Sequence, residues 1–262
     1  MGYAKIKLAC ANNVAVITLA DAATLNAVDP TMVEELTDAF GLAAREARCV
    51  VLTGEGRAFS SGANLSAGAP VSSQDGRVDV GIRLEQQYNP FVTMLRQLPI
   101  PFITAVNGAA AGIGCSFALM GDLIVAGESA YFLQAFRRIG LVPDGGATYV
   151  LPRITTRARA MELMLLGERL PAAKALEWGM INRCTPDAEL LTEAMKLAAD
   201  LATGPTRALA MIRELAWLSL DSHWREQLQA EREAQREAGR TEDFAEGIQA
   251  FYQKRPAQFK GV

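Results

Sequence analysis

The sequence of 262 residues predicts an α/β fold whose sheets are covered by helices. Two short runs, 49–52 and 102–106, are continuously apolar, which is typical of strands buried on both faces of a parallel sheet. Glycine-marked turns and segments with helical spacing follow these runs, so that strands and helices alternate along the chain. The length suits one large domain, or one domain with a smaller appendage.

The first half of the chain is predicted to alternate strands with helices. Residues 13–19 alternate between two faces, as a strand does. Asp29 suits the N-cap and Pro30 the first position of the helix that follows. A Gly/Ser/Ala-rich loop at 66–81, of a length often associated with function, precedes a predicted helix at 82–98. Beyond it the pattern predicts a strand at 102–106, a helix at 110–120 and a strand at 123–125.

The rest of the chain is predicted to be nearly all helical, with Gly and Pro residues separating the helices. The predicted helices are 157–166, 171–178, 187–203, 206–219, 221–238 and 241–254. A short strand is predicted at 180–182. Between 225 and 240, Glu and Arg recur at helical spacing, which indicates a solvated face or a helix packed on a partner subunit.

Composition narrows the classes of function. A net charge of −3 gives no attraction to nucleic acid. No apolar run approaches the ~18 residues of a membrane helix, and no signal peptide is recognisable, so we expect a cytoplasmic protein. The four cysteines form no C-x-x-C pair, which favours reduced thiols over disulfides or a metal site. A single histidine, His223, lies in a charged helical stretch and argues against a histidine-dependent hydrolase and a His-rich zinc site.

Two glycine-marked turns suggest a binding site for negative charge. One, at 59–65, follows an apolar strand; the other, at 107–114, leads from the strand at 102–106 into small residues that begin a helix. Glycine allows close approach of backbone, and a helix N-terminus leaves N–H groups free. We predict that the two turns meet and that each supplies one N–H to an oxyanion hole.

Five segments in this order resemble the crotonase superfamily, the enoyl-CoA hydratase/isomerase family, over essentially the whole length. They are 25–27, 56–65, 105–108 with 112–114, 140–146, and 245–247 with Phe251, 254–256 and Phe259. The resemblance implies a spiral of ββα units in a core of residues 1–204, and a C-terminal helical trimerisation region of residues 205–262. It also implies a homotrimer or homohexamer, an acyl-CoA substrate, and no cofactor other than the coenzyme A of that substrate.

The resemblance also assigns site residues. The oxyanion N–H donors would be those of Ala63 and Ile113, where many relatives have glycine in place of Ile113. The contacts to the coenzyme A and acyl parts would come from Asn26, Ala27, Asn64, Leu65, Phe136, Phe251 and Lys254. Of these, Phe251 and Lys254 often contact the ligand of a neighbouring subunit in the family.

The chain departs from the family at the catalytic carboxylates. The two glutamates of a typical hydratase would stand at Ser116 and Phe136, and neither is acidic here. Water addition needs both a base and an acid, whereas one carboxylate is enough to move a double bond. Asp144 resembles the single aspartate of some isomerases in the superfamily, including ring-opening ones. The sequence therefore favours an isomerase that uses Asp144 as its base, in an apolar site that raises its pKa.

Alternatives remain open at this point. Asp144 could instead be the N-cap of a short helix, and Asp75 or Glu128 would then be the next candidates for a base. The protein could be a hydratase, or a catalytically silent homologue that only binds coenzyme A. Nucleotide binding through 112–114 is disfavoured, because Phe117 occupies the last small-residue position of the G-x-G-x-x-G/A pattern.

Overall fold

The computed structural model describes residues 2–66, 72–73 and 75–262. The predicted loop at 66–81 therefore lies partly outside the described residues. The strands are β1 (Ile6–Ala11), β2 (Val14–Leu19), β3 (Cys49–Gly54), β4 (Ala58–Ser60), β5 (Phe102–Val106), β6 (Ala109–Ala111), β7 (Leu123–Gly127), β8 (Tyr131–Leu133), β9 (Leu170–Pro171) and β10 (Arg183–Thr185).

Helices cover the strands and form the C-terminal part of the chain. They are α1 (Pro30–Glu46), α2 (Gly81–Arg83), α3 (Asn89–Arg96), α4 (Ile113–Ala118), α5 (Ala147–Ile154), α6 (Arg157–Leu166), α7 (Ala172–Glu177), α8 (Leu190–Thr203), α9 (Thr206–Leu218), α10 (Trp224–Ala238) and α11 (Glu242–Gln253). A π-helical segment, Leu84–Tyr88, joins α2 to α3. Single 3-10 turns lie at Ala22–Thr24, Ala135–Ile139 and Asp187–Glu189.

The strands form two sheets. The larger has the order β1-β2-β3-β5-β7-β10 and is parallel except for the β1–β2 hairpin. The smaller has the order β4-β6-β8-β9, in which the first three strands are parallel and β9 is antiparallel to β8. The predicted α/β class with parallel buried strands is confirmed.

The chain moves between the two sheets in a repeating order, which is the predicted spiral. β3 is followed by β4, β5 by β6 and β7 by β8, and each pair adds one strand to each sheet. Helical structure follows each pair. Because β4, β6 and β8 are neighbours, the segments that follow them lie side by side, and these segments contain the predicted site.

The larger sheet is covered on both faces. Along β5, Phe102 and Val106 belong to the main core with α1, whereas Ile103 and Ala105 face α8. This two-sided burial explains why the run lacks polar alternation. An aromatic cluster links α1, α3, β5 and α4, with ring centroids 5.0–5.9 Å apart in edge-to-face pairs.

Several predicted boundaries are confirmed and two are wrong. Asp29 is the N-cap of α1, and its Oδ1 accepts a hydrogen bond of 2.9 Å from Met32 N. The helix predicted at 110–120 begins only at Ile113, because β6 pairs with β4 and β8. The short strand lies at β10, after the predicted 180–182. Among the described residues, no helix is long and apolar enough to cross a membrane.

Candidate active site

The turns after β4 and β6 are in contact. A Cβ placed on Gly62 would lie 2.9 Å from the carbonyl oxygen of Ala111 and 3.7 Å from Cα of Gly112. Gly62 has a φ of 99°, so a side chain there would be strained even without this contact. The two glycine-marked turns therefore meet, as the sequence predicts.

Backbone pairing orients the N–H group of Ala63. Val28 donates from its N–H to Gly62 O and accepts from Asn64 N, both at 2.8 Å. This parallel bridge uses the groups on either side of Ala63 and leaves the N–H of Ala63 directed away from Val28. Among the described residues, no backbone acceptor is found for that N–H.

The N–H group of Ile113 also has no acceptor among the described residues, for a different reason. Ile113 is the first residue of α4, and the first N–H groups of a helix have no carbonyl partner within it. The preceding Gly112 N donates to Leu133 O at 2.9 Å, which ties this helix end to β8. The arrangement presents a helix N-terminus, with its partial positive charge, beside the Ala63 turn.

Hydrogen bonds from Asn26 stabilise the turn at 59–65 and the chain that leads into it. Its Nδ2 donates to Ala58 O at 2.8 Å and to Glu55 O at 3.0 Å, and its Oδ1 accepts from Asp21 N at 2.9 Å. Its backbone oxygen accepts from the Ser60 hydroxyl at 2.8 Å. Asn26 is fully buried and shapes the turn. Its contact with the substrate stays a prediction.

Asp144 lies on a turn packed against α4. A Cβ on the following Gly145 would lie 2.4 Å from Cδ1 of Ile113 and 2.8 Å from Cβ of Ser116. The Ser116 hydroxyl donates to the backbone oxygen of Asp144 at 2.8 Å. The turn that carries the carboxylate is thus fixed to the same helix whose first N–H faces the Ala63 turn.

The carboxyl group of Asp144 has no structural partner among the described residues. Its Oδ1 is buried without a hydrogen bond, and burial raises its pKa to about 6. The alternative that Asp144 caps a helix is wrong, because α5 begins at Ala147 with Gly146 as its N-cap and no side chain caps it. A carboxyl group with this pKa is suited to exchanging protons near neutral pH.

Apolar side chains surround these groups. Ile113 and Leu133 are buried, and Phe136 is 7% exposed. A Cβ on Gly112 would lie 3.8 Å from Cζ of Phe136, so this ring lies against the oxyanion turn. An apolar wall of this kind favours the neutral form of Asp144, which accounts for the direction of its pKa shift.

The other acidic candidates do not share this environment. Asp75 accepts hydrogen bonds from the Ser73 hydroxyl and from Arg77 N, and the bond from Ser73 is the largest cause of its lowered pKa. Its side chain is 60% exposed. Glu128 is exposed. Neither has the burial that makes Asp144 a stronger base.

The remaining predicted contacts fall into two groups. Ala27 is buried next to the Val28–Ala63 bridge, while Asn64 is half-buried and Leu65 exposed on the same turn. By contrast, Phe251 and Lys254 lie at the end of α11, where Phe251 is 78% exposed. Their contact with coenzyme A stays a prediction.

One buried polar residue in this region was not predicted. Tyr88, at the end of the π-helical segment, packs edge-on against Phe117 of α4 with ring centroids 6.3 Å apart. Its hydroxyl is buried, and its proton has no acceptor among the described residues. Because sequence patterns do not reveal a π-helical turn, they gave no indication of which way this hydroxyl points.

A comparison with known families agrees with this arrangement. The model of the family described as enoyl-CoA hydratase/isomerase matches residues 9–262. The chain belongs to the enoyl-CoA hydratase/isomerase family. The resemblance inferred from the sequence segments is confirmed.

Relatives and solved structures extend the comparison. This chain is 41% identical to a probable enoyl-CoA hydratase of Rhodobacter capsulatus, over 100% of both chains. It is 42% identical to 1,2-epoxyphenylacetyl-CoA isomerase of Escherichia coli, over 94% of both chains. The crystal structure of an enoyl-CoA hydratase from Bacillus anthracis matches with a TM-score of 0.91 at 30% identity, covering 99% of this chain and 100% of that one.

These relatives show the enzyme family and its fold. Their names, however, refer to two different activities, hydration and isomerisation. A hydratase and an isomerase are both similar to this chain at about the same identity. The distinction therefore depends on the residues of the site. Within the part of the chain that the structure describes, no group of three or more His, Cys, Asp or Glu residues could hold a metal ion.

Proposed function

We propose that this enzyme is an enoyl-CoA isomerase that shifts a double bond, or isomerises a ring, with Asp144 as its only proton-transferring carboxylate. The observation that carries the proposal is the buried, unpartnered Oδ1 of Asp144 beside α4, with a pKa of about 6. The name of the Escherichia coli relative, an isomerase of an acyl-CoA, supports it.

The reaction needs one base and one site for negative charge. Asp144 takes a proton from Cα of a 3-enoyl thioester, and the electron pair moves through the carbonyl to give a dienolate. The protonated Asp144 then returns the proton to Cγ, and the carbonyl re-forms with the double bond conjugated to it. No atom is gained or lost, so no water or second carboxylate is required.

The negative charge of the dienolate would be held by two N–H groups, those of Ala63 and Ile113. Both belong to turns that touch, and the second lies at a helix N-terminus. One oxyanion donor typically contributes about 3 kcal/mol of transition-state stabilisation. Two such donors, in a site walled by apolar side chains, would account for a large share of what an enolate requires.

Hydration is the second candidate function. The name of the Rhodobacter capsulatus relative favours it. Against it, the positions of the two hydratase glutamates hold Ser116 and Phe136; Ser116 uses its hydroxyl on the Asp144 turn, and Phe136 supplies a ring. A single acid would then have to serve as both base and acid around one water.

The coenzyme A part of the substrate would be held by backbone around Ala27, Ala63 and Leu65, with Phe251 and Lys254 reaching the site of a neighbouring subunit. The C-terminal helices expose large apolar side chains that an oligomer would cover. They are Trp224, Leu228, Phe244, Ile248, Phe251 and Tyr252. We expect three or six chains in light-scattering measurements of the purified protein.

The deciding experiment follows the ultraviolet absorbance of the conjugated thioester formed from a 3-enoyl-CoA. We expect turnover by the wild type, loss of at least about a thousandfold in Asp144→Asn, and no change in Asp200→Asn, an exposed acid on α8. Turnover that survives in Asp144→Asn would reject Asp144 as the base. A wild type that hydrates 2-enoyl-CoA but does not isomerise would favour the hydratase. Binding of coenzyme A without turnover would favour a silent homologue.

A further inference from the structure

The buried hydroxyl of Tyr88 has no role in the reaction described above. Tyr88 is 2% exposed, and its hydroxyl proton has no acceptor among the described residues. Buried hydroxyl groups in folded proteins are nearly always hydrogen-bonded, so an exception calls for a physical explanation. A ligand that enters the site can supply the missing partner.

Packing places Tyr88 beside the catalytic helix. Its ring meets Phe117 of α4 edge-on, at an interplanar angle of 85°. The neighbouring residue in that helix, Ser116, donates its hydroxyl to the backbone of Asp144. Tyr88 and Asp144 therefore pack on adjacent positions of one short helix; the buried Oδ1 of Asp144 has no hydrogen bond, and the buried hydroxyl of Tyr88 has no acceptor for its proton among the described residues.

Electrostatics agree with this proximity. Burial is the largest influence and raises the pKa of Tyr88; the charge of Arg83 and a hydrogen bond from its side chain lower it, and negative charge on Asp144 raises it. For Asp144, however, burial alone accounts for the raised pKa. The Tyr88 hydroxyl thus lies within reach of the field of Asp144 without donating a hydrogen bond to it, and its proton is available to something else.

The local backbone explains how a tyrosine comes to point this way. Leu84–Tyr88 is π-helical, whereas Asn89–Arg96 is a regular α-helix. A π-helical turn rotates the side chains that follow it relative to an α-helix, and such turns recur at functional sites. Tyr88 is the last residue of this turn.

We propose that the Tyr88 hydroxyl donates a hydrogen bond to an oxygen atom of the acyl group, near the carbons at which Asp144 acts, so that the enzyme prefers oxygen-bearing acyl thioesters to plain hydrocarbon ones. The proposal rests on the proposed function, because it places the acyl group beside Asp144. It adds a substrate class, namely acyl thioesters with a hydroxyl, carbonyl or epoxide oxygen.

The chemistry of the surroundings makes one hydroxyl effective. Most known neighbours of the site are apolar, among them Ile113, Leu133 and Phe136. A polar group in such a wall is left unpaired when the ligand lacks the matching oxygen, and that loss discriminates strongly between two ligands. A purely apolar wall would give only weak discrimination.

Binding measurements test this without relying on turnover. Titration calorimetry compares phenylacetyl-CoA with (2-hydroxyphenyl)acetyl-CoA, and butanoyl-CoA with 3-hydroxybutanoyl-CoA. In the wild type we expect at least one oxygen-bearing ligand to bind about tenfold or more tightly than its counterpart. In Tyr88→Phe that preference should fall below about threefold, while the affinity for the plain counterpart stays within about threefold.

The control is Tyr3→Phe, whose hydroxyl donates to Asp38 at 2.7 Å outside the site and which should keep the wild-type preference. Thermal unfolding supplies a second readout. A hydroxyl whose proton has no acceptor in the fold should leave Tyr88→Phe with nearly the melting temperature of the wild type, whereas a structural role would lower it clearly.

The idea is overturned if neither ligand pair shows a preference in the wild type, if the preference survives in Tyr88→Phe, or if that variant melts at a clearly lower temperature. A different result is expected if the proposed isomerase function is wrong. Asp144→Asn and the wild type would then be equally inactive on 3-enoyl-CoA, while the ligand preference and its dependence on Tyr88 would persist in both.

Discussion

The Ser116 hydroxyl donates a hydrogen bond of 2.8 Å to the backbone carbonyl oxygen of Asp144. A small residue of α4 thus fixes the turn that carries Asp144, the proposed base. Ser116 is 1% exposed, so no water competes for this bond. In the proposed reaction, Ser116 would therefore act as a positioning residue for Asp144.

Removing that hydroxyl should impair the reaction more than the fold. In Ser116→Ala we expect kcat to fall about tenfold, because the Asp144 turn loses its anchor and the carboxylate its alignment. The cost in the free energy of unfolding should be about 1 kcal/mol, as for one neutral hydrogen bond. Steady-state kinetics and urea unfolding measure both.

The matched control is Ser219→Ala, whose hydroxyl makes a similar bond of 2.7 Å to Ala216 O at the end of α9. It should change stability by a comparable small amount and leave kcat unaltered. An unchanged kcat in Ser116→Ala would mean that the Asp144 turn holds its position without Ser116.

The pH dependence of isomerisation should report the raised pKa of Asp144. A base must be ionised, so kcat/KM should fall as the pH drops through about 6, with a slope of one proton. An unperturbed aspartate would keep its activity to about pH 4. Rates measured from pH 4.5 to 9 on an uncharged acyl chain decide the matter, and a plateau that continues below pH 5 would contradict the assignment.

The free energy of unfolding should also depend on the raised pKa of Asp144, but with the opposite pH trend to that of activity. The folded-state pKa of Asp144, about 6, lies above the unfolded value, so the folded protein binds the extra proton and this contribution is lost as the pH rises from about 4 through 6. Asn carries no charge at any pH. Asp144→Asn should therefore gain stability over the wild type as the pH rises, by about 1–2 kcal/mol after allowing for partial exposure.

Urea unfolding at pH 4.5 and pH 8 measures this difference. The Asp200→Asn variant is the control, because its carboxylate is exposed on α8 and should show no trend between the two pH values. A gap between Asp144→Asn and the wild type that shrinks with rising pH would mean that the folded protein stabilises the charged form of Asp144.

Some features of the fold and of the site could be predicted from sequence patterns. The buried strands at 49–52 and 102–106 were predictable because burial on both faces removes polar alternation. The two turns of the site were predictable because backbone that must approach closely needs glycine, as at Gly62. Asp144 could be singled out because its segment, 140–146, resembles that of isomerases in the superfamily that use a single aspartate.

Other features depend on contacts that no local pattern encodes. Ala109–Ala111 is rich in a helix-forming residue, yet it is a strand because β4 and β8 pair on either side of it. The role of Asn26 is set by carbonyls about 30 residues away. Whether Asp144 caps a helix or is free was decided by the Gly145–Gly146 turn, which delays the start of α5.

Close packing at Gly114 should be essential to the oxyanion turns. A Cβ at this position would lie 2.5 Å from both Cβ and Oγ of Ser60, the last residue of β4. Gly114→Ala should push α4 away from the Ala63 turn, with a loss of stability of about 1–3 kcal/mol and a fall in kcat of about a hundredfold or more.

Gly41→Ala is the corresponding control within α1. There a Cβ would approach only Nη1 of Arg45, at 3.9 Å, so the change should stabilise the protein by about 1 kcal/mol through helix propensity and leave kcat intact. Equal behaviour of the two variants would show that the site tolerates separation of its two turns.

The C-terminal helices should depend on Arg213 for their attachment to the core. Its Nε donates to Asp122 at 2.7 Å, and its two Nη atoms donate to the carbonyls of Leu95, Arg96 and Leu98. Arg213 is 6% exposed on α9, so one side chain satisfies the end of α3 and an acid at the start of β7. Arg213→Met would remove all four bonds and leave the Asp122 carboxylate with the bond from Phe102 N but without its cation.

We expect Arg213→Met to lower the free energy of unfolding by about 3–5 kcal/mol, the usual cost of removing one partner of a buried ion pair. Arg207→Met, an exposed change on the same helix, should cost less than about 0.5 kcal/mol. Denaturant unfolding measures both, and hydrogen exchange of α9 shows where the loss occurs. If α9 kept its protection in Arg213→Met, its attachment would depend on apolar packing rather than on this guanidinium.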